Sequence, residues 1–198
     1  MEFRPLRIEG AVEVTPRQYS DPRGVLAEGF RADRLAEQIG HEFTVRQTNI
    51  SVSRSGALRG IHYASLPPSQ AKYVTAVEGA FLDFIIDIRV GSPTFGQWDV
   101  VRLDTIERKA VYLSEGLGHA LVCVEDGTTV YLCSEVYNPA AELGLNPLDP
   151  TIGLDLPSGL PLIVSDKDAA AMTLLQAQAA ALLPDYAACL DFRSSRSA

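Results

Sequence analysis

Residues 58–63 read Leu-Arg-Gly-Ile-His-Tyr and place Arg59 and His62 in an otherwise apolar, strand-like stretch. Histidine, with an ordinary pKa of about 6.5, is the side chain best suited to take up and return a proton at neutral pH. A lone histidine on a strand is more often a hydrogen-bonded core residue. A regular strand would put Arg59 and His62 on opposite faces, so a shared pocket requires a bulge, for which Gly60 is the candidate, or a contribution to another subunit's site.

Other ionisable residues fall on strand-like segments further along the chain. The alternation of residues 80–89 points Asp83 into an interior, where a carboxylate needs a partner. The alternation of residues 128–137 could bring the Tyr131 hydroxyl to the mouth of a barrel. Lys72 begins a strand after a loop with two prolines.

The spacing of apolar runs and turn residues predicts a mainly β fold, an antiparallel sandwich or barrel. The predicted strands are residues 43–53, 57–64, 71–78, 80–89, 97–103, 109–113, 118–124 and 128–137. A short helix from Arg31 to Ile39 ends at Gly40. A capped terminal helix is predicted from residues 165–168 to Leu183.

Length and composition indicate one ordinary globular domain, 1–198. It divides into N-terminal strands (1–53), a barrel core (54–140) and C-terminal loops with a helix (141–198). The net charge of −8 without a Lys/Arg-rich block argues against nucleic-acid binding. No apolar run approaches the roughly 18 residues that cross a bilayer. Residues 1–7 lack the apolar core of a secretory signal, so we expect a cytoplasmic protein with no membrane partner.

Five segments occur in a characteristic order and spacing: Leu58–Tyr63, Gln70–Lys72, Asp87–Trp98, Ser114–His119 and Val136–Pro139. Together they resemble the nucleotide-sugar 3,5-epimerases, the dTDP-4-dehydrorhamnose 3,5-epimerase family. The resemblance implies a cupin-type jelly roll and a homodimer that exchanges N-terminal strands. It also implies epimerisation of a dTDP-linked 4-keto-6-deoxyhexose at C3, C5 or both.

The resemblance also implies a role for individual residues. The implied catalytic residues are His62 as general base, Asp168 as its support, Asp83 as a further acidic assistant, Tyr131 as general acid and Lys72 beside the substrate ketone. The implied substrate-binding residues are Arg23 and Arg59 on the diphosphate, Gln47, Asn49 and His119 in the pocket, and Glu28 and Tyr137 against the substrate.

The implied reaction needs residues of these types. A hydrogen next to a ketone can be removed because the charge spreads onto the carbonyl oxygen, so the site needs a base, an oxyanion stabiliser and an acid on the opposite face. Taken singly, Lys72 and Tyr131 are more often a solvated strand end and a barrel aromatic. Asp168 lies three residues after Ser165, where a carboxylate normally serves a helix cap, although capping and support of His62 can coexist.

The chain departs from the family pattern at two places. Residues 114–120 read Ser-Glu-Gly-Leu-Gly-His-Ala where the family commonly has Pro-Glu-Gly-Phe-Ala-His-Gly, and Val25–Ala27 replaces an aromatic-rich run. Both departures bear on which sugar is bound and on how many carbons invert. The segment Leu182–Tyr186 resembles the branch that makes unusual deoxysugars for secondary metabolites.

Two alternative functions remain open at this point: a ketoisomerase of the same sugars, and a cupin that binds a nucleotide sugar without turnover. A metal is a further possibility for a cupin. Metal-binding cupins typically use a His-x-His pair with a Glu and a further His, whereas here His62 and His119 are the two candidate imidazole ligands. We therefore predict no metal and no redox cofactor.

Overall fold

The computed structural model describes residues 1–196 and has the predicted mainly β architecture, a cupin-type jelly roll. Its strands are β1 (Glu2–Pro5), β2 (Ala11–Thr15), β3 (Gln18–Asp21), β4 (Gly24–Ala27), β5 (Gln47–Ser53), β6 (Ala57–Ala64), β7 (Lys72–Ile86), β8 (Trp98–Asp104), β9 (Ala110–Leu113), β10 (Gly118–Cys133), β11 (Glu142–Gly144) and β12 (Ile163–Val164). Its helices are α1 (Ala32–Ile39), α2 (Asp166–Ala169), α3 (Leu174–Ala179) and α4 (Tyr186–Ser194).

Two long strands, β7 and β10, run through both layers of the roll. The start of β10 pairs with β6, and its end pairs with β5. In the same way, the start of β7 pairs with β9, and its end pairs with β8. One layer contains β6, β8, the start of β10 and the end of β7, and we call it the β6 sheet. The other layer contains β5, β9, β2, β1, the end of β10 and the start of β7, and we call it the β5 sheet.

The sequence predicted a strand break where the structure has a bend. Two pairs of predicted strands are each continuous: 71–78 with 80–89 in β7, and 118–124 with 128–137 in β10. At the bend, β10 shifts register against β7 between Cys123 and Thr129. Gly79 there has φ 69°, and a Cβ on it would lie 2.3 Å from the carbonyl oxygen of Asp126. The glycine therefore permits a close crossing of the two strands rather than a turn.

The alternation predicted for residues 80–89 is confirmed. Phe81 and Ile85 belong to the cluster between the two sheets, while Phe84 and Ile86 belong to the cluster beneath the C-terminal segment. Burying each of these side chains stabilises the fold by about 1.5–3 kcal/mol. Asp83 lies on the same face as Phe81 and Ile85 and is fully buried.

The first helix begins and ends close to the predicted residues and covers the outer face of the β5 sheet. Gly40 ends α1 with φ 82°, and its N–H donates to the carbonyl oxygen of Ala36 at 2.9 Å. Leu35 is almost fully buried in a cluster with Phe43 and Tyr112. The helix leaves the inner face of the sheet free to line a cavity.

The prediction of one terminal helix to Leu183 is wrong. The structure has α2, α3 and α4 in this region, and each begins at its own capping residue: Ser165, Thr173 and Asp185. The alanine-rich sequence has high helix propensity, but Ala181 adopts φ 54° and Pro184 follows, so the chain turns before α4. None of the helices formed by residues 1–196 is long and apolar enough to span a bilayer.

Candidate active site

A cavity of about 240 Å³ lies between the two sheets. It is lined by these residues predicted for the site: Gln47, Asn49, Arg59, His62, Lys72, His119, Tyr131 and Tyr137. Asp83 and Asp168 lie behind it, hydrogen bonded to lining histidines. The β6 sheet carries both histidines and Arg59, while the β5 sheet carries Lys72 and Tyr131. Proton-transfer groups therefore face one space from two sides.

A bulge brings Arg59 and His62 into the same cavity. His119 pairs with His62 and Leu121 pairs with Arg59, so β6 has one residue more than β10 over this interval. Gly60, in the bulge, has φ 119°, and a Cβ on it would lie 2.5 Å from the carbonyl oxygen of His119. Only glycine fits this position without displacement of the neighbouring strand. Of the two alternatives left open by the sequence, the structure has the bulge at Gly60.

The candidate base, His62, is paired with a buried carboxylate. His62 Nε2 lies 2.9 Å from Asp168 Oδ1, and the second carboxylate oxygen accepts from the Gly60 N–H at 3.4 Å. The Asp168 backbone N–H donates to Ser165 Oγ at 3.1 Å, so the helix cap uses the backbone of Asp168 and not its carboxylate. The carboxylate is thus bonded to His62 and to the Gly60 N–H, while the backbone of the same residue serves the cap. Its support of His62 in catalysis remains a prediction. With Nε2–H donated to Asp168, Nδ1 keeps the lone pair that a base needs.

Burial lowers the pKa of His62 below its ordinary value of 6.5, and the hydrogen bond and charge of Asp168 partly oppose this. The charge of Lys72 lowers the pKa of His62 further, as would a charge on His119 in its protonated form. His62 is therefore neutral at pH 7, as a general base must be. Its side chain is 35% exposed, which gives a ligand in the cavity access to the ring.

A second histidine connects Lys72 to Asp83. His119 Nδ1 lies 3.1 Å from Asp83 Oδ1, and His119 Nε2 lies 3.4 Å from Lys72 Nζ. A carboxylate accepts and an ammonium donates, so the tautomer consistent with both contacts has its proton on Nδ1. The implied assistance of Asp83 to His62 is not a direct contact, because Asp83 bonds to His119. The second oxygen, Asp83 Oδ2, is buried and has no hydrogen-bond partner within residues 1–196.

The candidate acid, Tyr131, lies opposite the histidines on the β5 sheet. It pairs with Asn49 of β5 and with Val74 of β7. Burial raises the pKa of Tyr131 above 10, negative charge on Cys133 or Glu142 would raise it further, and the nearby Arg59 lowers it. The phenol is therefore protonated at neutral pH and can donate a proton into the cavity.

Polar side chains of β5 also face the cavity. Gln47, Asn49 and Ser51 line it, whereas Ile50 and Val52, between and beside them, point outward and are more than 70% exposed. Gln47 Nε2 donates to Asn49 Oδ1 at 2.8 Å. The Tyr137 N–H donates to Gln47 Oε1 at 2.8 Å, which holds this segment at the rim. The strand is thus polar inside and apolar outside, the reverse of an ordinary core strand.

Two predicted binding residues lie outside the cavity of the single chain. Arg23, in the turn of the separate β3–β4 hairpin, has an 89% exposed side chain and pairs with Asp21. Glu28, just after the hairpin, pairs with Arg31 at 3.3 Å. Their roles in substrate binding therefore remain predictions.

The structure adds two charged residues to the cavity that the sequence reasoning missed, Glu142 and Lys167. Glu142 begins β11, which pairs with the end of β6, and Lys167 precedes Asp168 in α2. No sequence pattern marked Glu142. Proximity to Asp168 was the one available signal for Lys167, but successive residues of a helical turn point in different directions.

The departure at Leu117 and Gly118 lies in the core rather than in the cavity. Leu117 is 3% exposed in the cluster between the sheets. A Cβ on Gly118 would lie 2.9 Å from a methyl group of Ile61 and 3.5 Å from one of Ile88. The backbone here packs closely behind the bulged strand β6, so this departure from the family pattern affects the packing of the core and not the lining of the cavity.

The described residues contain no group of three or more His, Cys, Asp or Glu side chains placed to hold a metal ion. His62 and His119 each donate one ring nitrogen to a carboxylate, as the hydrogen bonds above require. The absence of a metal and of a redox cofactor remains a prediction.

Comparisons with known proteins give a consistent result. The family model described as dTDP-4-dehydrorhamnose 3,5-epimerase matches residues 5–176. The chain is 51% identical to a dTDP-4-dehydrorhamnose 3-epimerase of Streptomyces niveus over 190 residues, which cover 96% of this chain and 91% of the relative. It is also 51% identical to a dTDP-4-dehydrorhamnose 3,5-epimerase of Mycolicibacterium smegmatis over 193 residues, 97% and 95% of the two chains.

A solved structure agrees with these sequence matches. The crystal structure of ChmJ, a 3'-monoepimerase from Streptomyces bikiniensis, in complex with dTDP-quinovose superposes with a TM-score of 0.95. The two chains are 46% identical, and the match covers 98% of each. On this evidence the chain belongs to the dTDP-4-dehydrorhamnose 3,5-epimerase family.

Proposed function

We propose that this protein epimerises a dTDP-linked 4-keto-6-deoxyhexose by general acid–base proton transfer through an enolate. The observation that carries the proposal is the arrangement of His62 with Asp168 on one sheet and protonated Tyr131 on the other, around one cavity. A binding protein would need cationic groups for the diphosphate, but it would not need a base facing an acid. Two relatives that are 51% identical to this chain are named as epimerases of dTDP-4-dehydrorhamnose, which adds support.

In the proposed mechanism, His62 Nδ1 removes the hydrogen from the carbon next to the C4 ketone. The electron pair of the broken C–H bond moves into the ring, and the negative charge develops on the C4 oxygen. Lys72 stabilises this oxyanion, which it can do strongly in a site poor in water. Tyr131 then donates its proton to the carbon from the opposite face, and this return on the other side inverts the centre.

The charges around these groups fit their proposed tasks. Asp168 orients the His62 ring and stabilises the imidazolium that forms after proton removal. His119, held by Asp83, accepts a hydrogen bond from Lys72 and so fixes the ammonium at the cavity wall. We assign Arg59, Gln47 and Asn49 to the nucleotide end of the substrate.

We further infer that the protein is a homodimer with exchanged N-terminal strands. The outward face of β5 exposes Ile50 at 73% and Val52 at 72%, and the β3–β4 hairpin exposes Leu26 at 70%. An apolar strand face of this kind favours burial against another subunit. Exchange of the hairpin would carry Arg23 and Glu28 to the neighbouring subunit's cavity, in keeping with their position outside their own.

The number of inverted carbons is a separate question. A 3-epimerase and a 3,5-epimerase are equally similar to this chain at 51% identity, so overall similarity does not discriminate between them. We propose inversion at C3 as the common step, since it is shared by both relatives' names. Inversion at C5 depends on how the ring sits after the first inversion.

The experiment that tests the function is a proton NMR time course of dTDP-4-keto-6-deoxyglucose with the protein in D₂O. An epimerase should replace the hydrogen at C3, and at C5 if that centre also inverts, with deuterium and should produce new ring couplings. A ketoisomerase would move the carbonyl to a neighbouring carbon and give the ring-proton shifts of a positional isomer of the ketone, and a binding protein would leave the spectrum of the sugar unchanged. Exchange at neither carbon would contradict the proposal.

A further inference from the structure

Arg59 is held by two residues at the end of β5. Its Nε donates to Ser53 Oγ at 3.0 Å, and its Nη2 donates to the carbonyl oxygen of Val52 at 3.2 Å. Arg59 lies on the β6 sheet and its two acceptors lie on the β5 sheet, so the contacts span the two layers. Ser53 is 5% exposed, which gives its hydroxyl a fixed position.

The contacts leave the charge of Arg59 uncompensated by protein. No Asp or Glu among residues 1–196 lies within 4.0 Å of its guanidinium. A guanidinium has five N–H groups, and the two contacts use two of them, so the other three can face the cavity. This orientation suits the planar, bidentate recognition of phosphate oxygens.

Immobilising an arginine on binding costs conformational entropy, because the side chain has many rotamers in solution. A hydrogen bond within the protein that holds Arg59 in place reduces that cost. We propose that Ser53 is a positioning residue whose hydroxyl orients Arg59 toward the diphosphate of the substrate. The inference rests on the proposed function, in which Arg59 binds this diphosphate.

The contact with Nε is specific to arginine and to the hydroxyl of Ser53. Removing the hydroxyl leaves the Val52 carbonyl contact, so the guanidinium stays in the region but can rotate about its last bonds. The consequence is weaker anion binding rather than a loss of chemistry. Ser53 does not line the cavity itself, so the effect must pass through Arg59.

The test is Ser53→Ala, measured by titration calorimetry with dTDP as the probe and by steady-state kinetics with the keto sugar. We expect affinity for dTDP to fall about 5- to 20-fold, the range for one hydrogen bond to a charged group with part of the contact retained. KM should rise by a similar factor while kcat stays within about two-fold of the wild type, since the proton-transfer groups are unchanged.

A double-mutant cycle with Arg59→Ala separates the possible explanations. If Ser53 acts through Arg59, the serine change should add almost nothing in the Arg59→Ala background. Ser92→Ala is the matched control: Ser92 Oγ donates to buried Asp87 at 2.6 Å, away from the cavity. This control should lower the melting temperature without changing the affinity for dTDP.

Three results would overturn the inference. Unchanged dTDP affinity in Ser53→Ala, with clear weakening in Arg59→Ala, would remove Ser53 and leave the proposed function intact. An equal loss from Ser53→Ala with and without Arg59 would show that the serine acts by another route. Unchanged affinity in Arg59→Ala itself would remove Arg59 from anion binding, and the role of Ser53 with it.

Discussion

The imidazole of His62 and the carboxylate of Asp168 meet at 2.9 Å although 106 residues separate them in the chain. Three local features produce this contact: the bulge at Gly60, the cap at Ser165 and the short helix α2. Asp168 is 6% exposed, so its charge is stabilised chiefly by the His62 ring and the Gly60 N–H.

The first prediction concerns the base. His62→Asn keeps a polar side chain of similar size but removes the proton acceptor, so kcat should fall by about 10² to 10⁴ or more. Affinity for dTDP should stay near the wild-type value, because the imidazole is assigned to the sugar end. Near-wild-type turnover in a stopped NMR assay would contradict the assignment of His62.

The second prediction separates the two roles of Asp168. Asp168→Asn removes the charge that raises the pKa of His62, so kcat should fall and the acid limb of the pH–rate profile should move to lower pH. Ser165→Ala removes the cap alone and should cost about 0.5–2 kcal/mol of stability. Its pH–rate profile should keep the wild-type acid limb. An Asp168→Asn variant that lost only stability would leave the residue with a structural role.

The third prediction concerns stability and pH. The pKa of His62 is lower in the folded protein than its ordinary value of 6.5, so the unfolded chain binds more protons between these two values. The contribution of His62 to the free energy of unfolding should therefore decrease as the pH falls below about 6.5. Melting temperatures measured from pH 8 to pH 5 should decline less for His62→Asn than for the wild type. Parallel curves would show that His62 does not titrate differently on folding.

The fourth prediction tests exchange of the N-terminal strands. Arg23→Ala and His62→Asn homodimers should each have low activity with limiting substrate. If Arg23 serves the neighbouring cavity, a mixed dimer contains one site with both His62 and Arg23, and mixing followed by subunit exchange should restore part of the activity. Light scattering should report a dimer throughout. No recovery in verified mixed dimers would place both residues in the same subunit's site or leave Arg23 outside it.

Which residues line the cavity could be predicted from the sequence further than their contacts could. Alternation along β7 correctly turned Asp83 inward, because one buried face determines the register of a strand. The hydrogen-bond partner of Asp83, in contrast, depends on the pairing of β7 with β10, which sets Asp83 opposite Leu121 and beside His119. No local pattern contains that register, and so the contact with His119 was not predicted.

Irregular segments were the other source of error. A period of two could show that Arg59 and His62 needed a bulge, but only the three-dimensional pairing selects a bulge over a second subunit. Glu142 and Lys167 enter the cavity from a short strand and a four-residue helix, where no periodicity orients a side chain. In β5, by contrast, polar residues alternate with Ile50 and Val52 along the sequence, so a polar inner face could have been predicted from the period of two, although it was not.

The fifth prediction concerns Tyr131 and the two steps of inversion. Removal of a proton by His62 and delivery of a proton from the opposite face are separable events. Tyr131→Phe keeps the ring that packs against the core between the sheets but removes the hydroxyl. The variant should still form the enolate, so in D₂O the sugar should acquire deuterium at C3, returned by the base side with mostly retained configuration.

With wild-type protein, the sugar should acquire deuterium at each carbon that is inverted. A comparison of the spectra from wild-type protein and Tyr131→Phe shows whether Tyr131 sets the stereochemical outcome. His62→Asn is the matched control, because without the base neither exchange nor inversion should occur. Full inversion by Tyr131→Phe at the wild-type rate would require another donor on the β5 sheet. Since burial keeps the pKa of Tyr131 above 10, the wild-type rate should show no loss from phenol ionisation up to about pH 9, whereas an earlier decline would point to a donor of lower pKa.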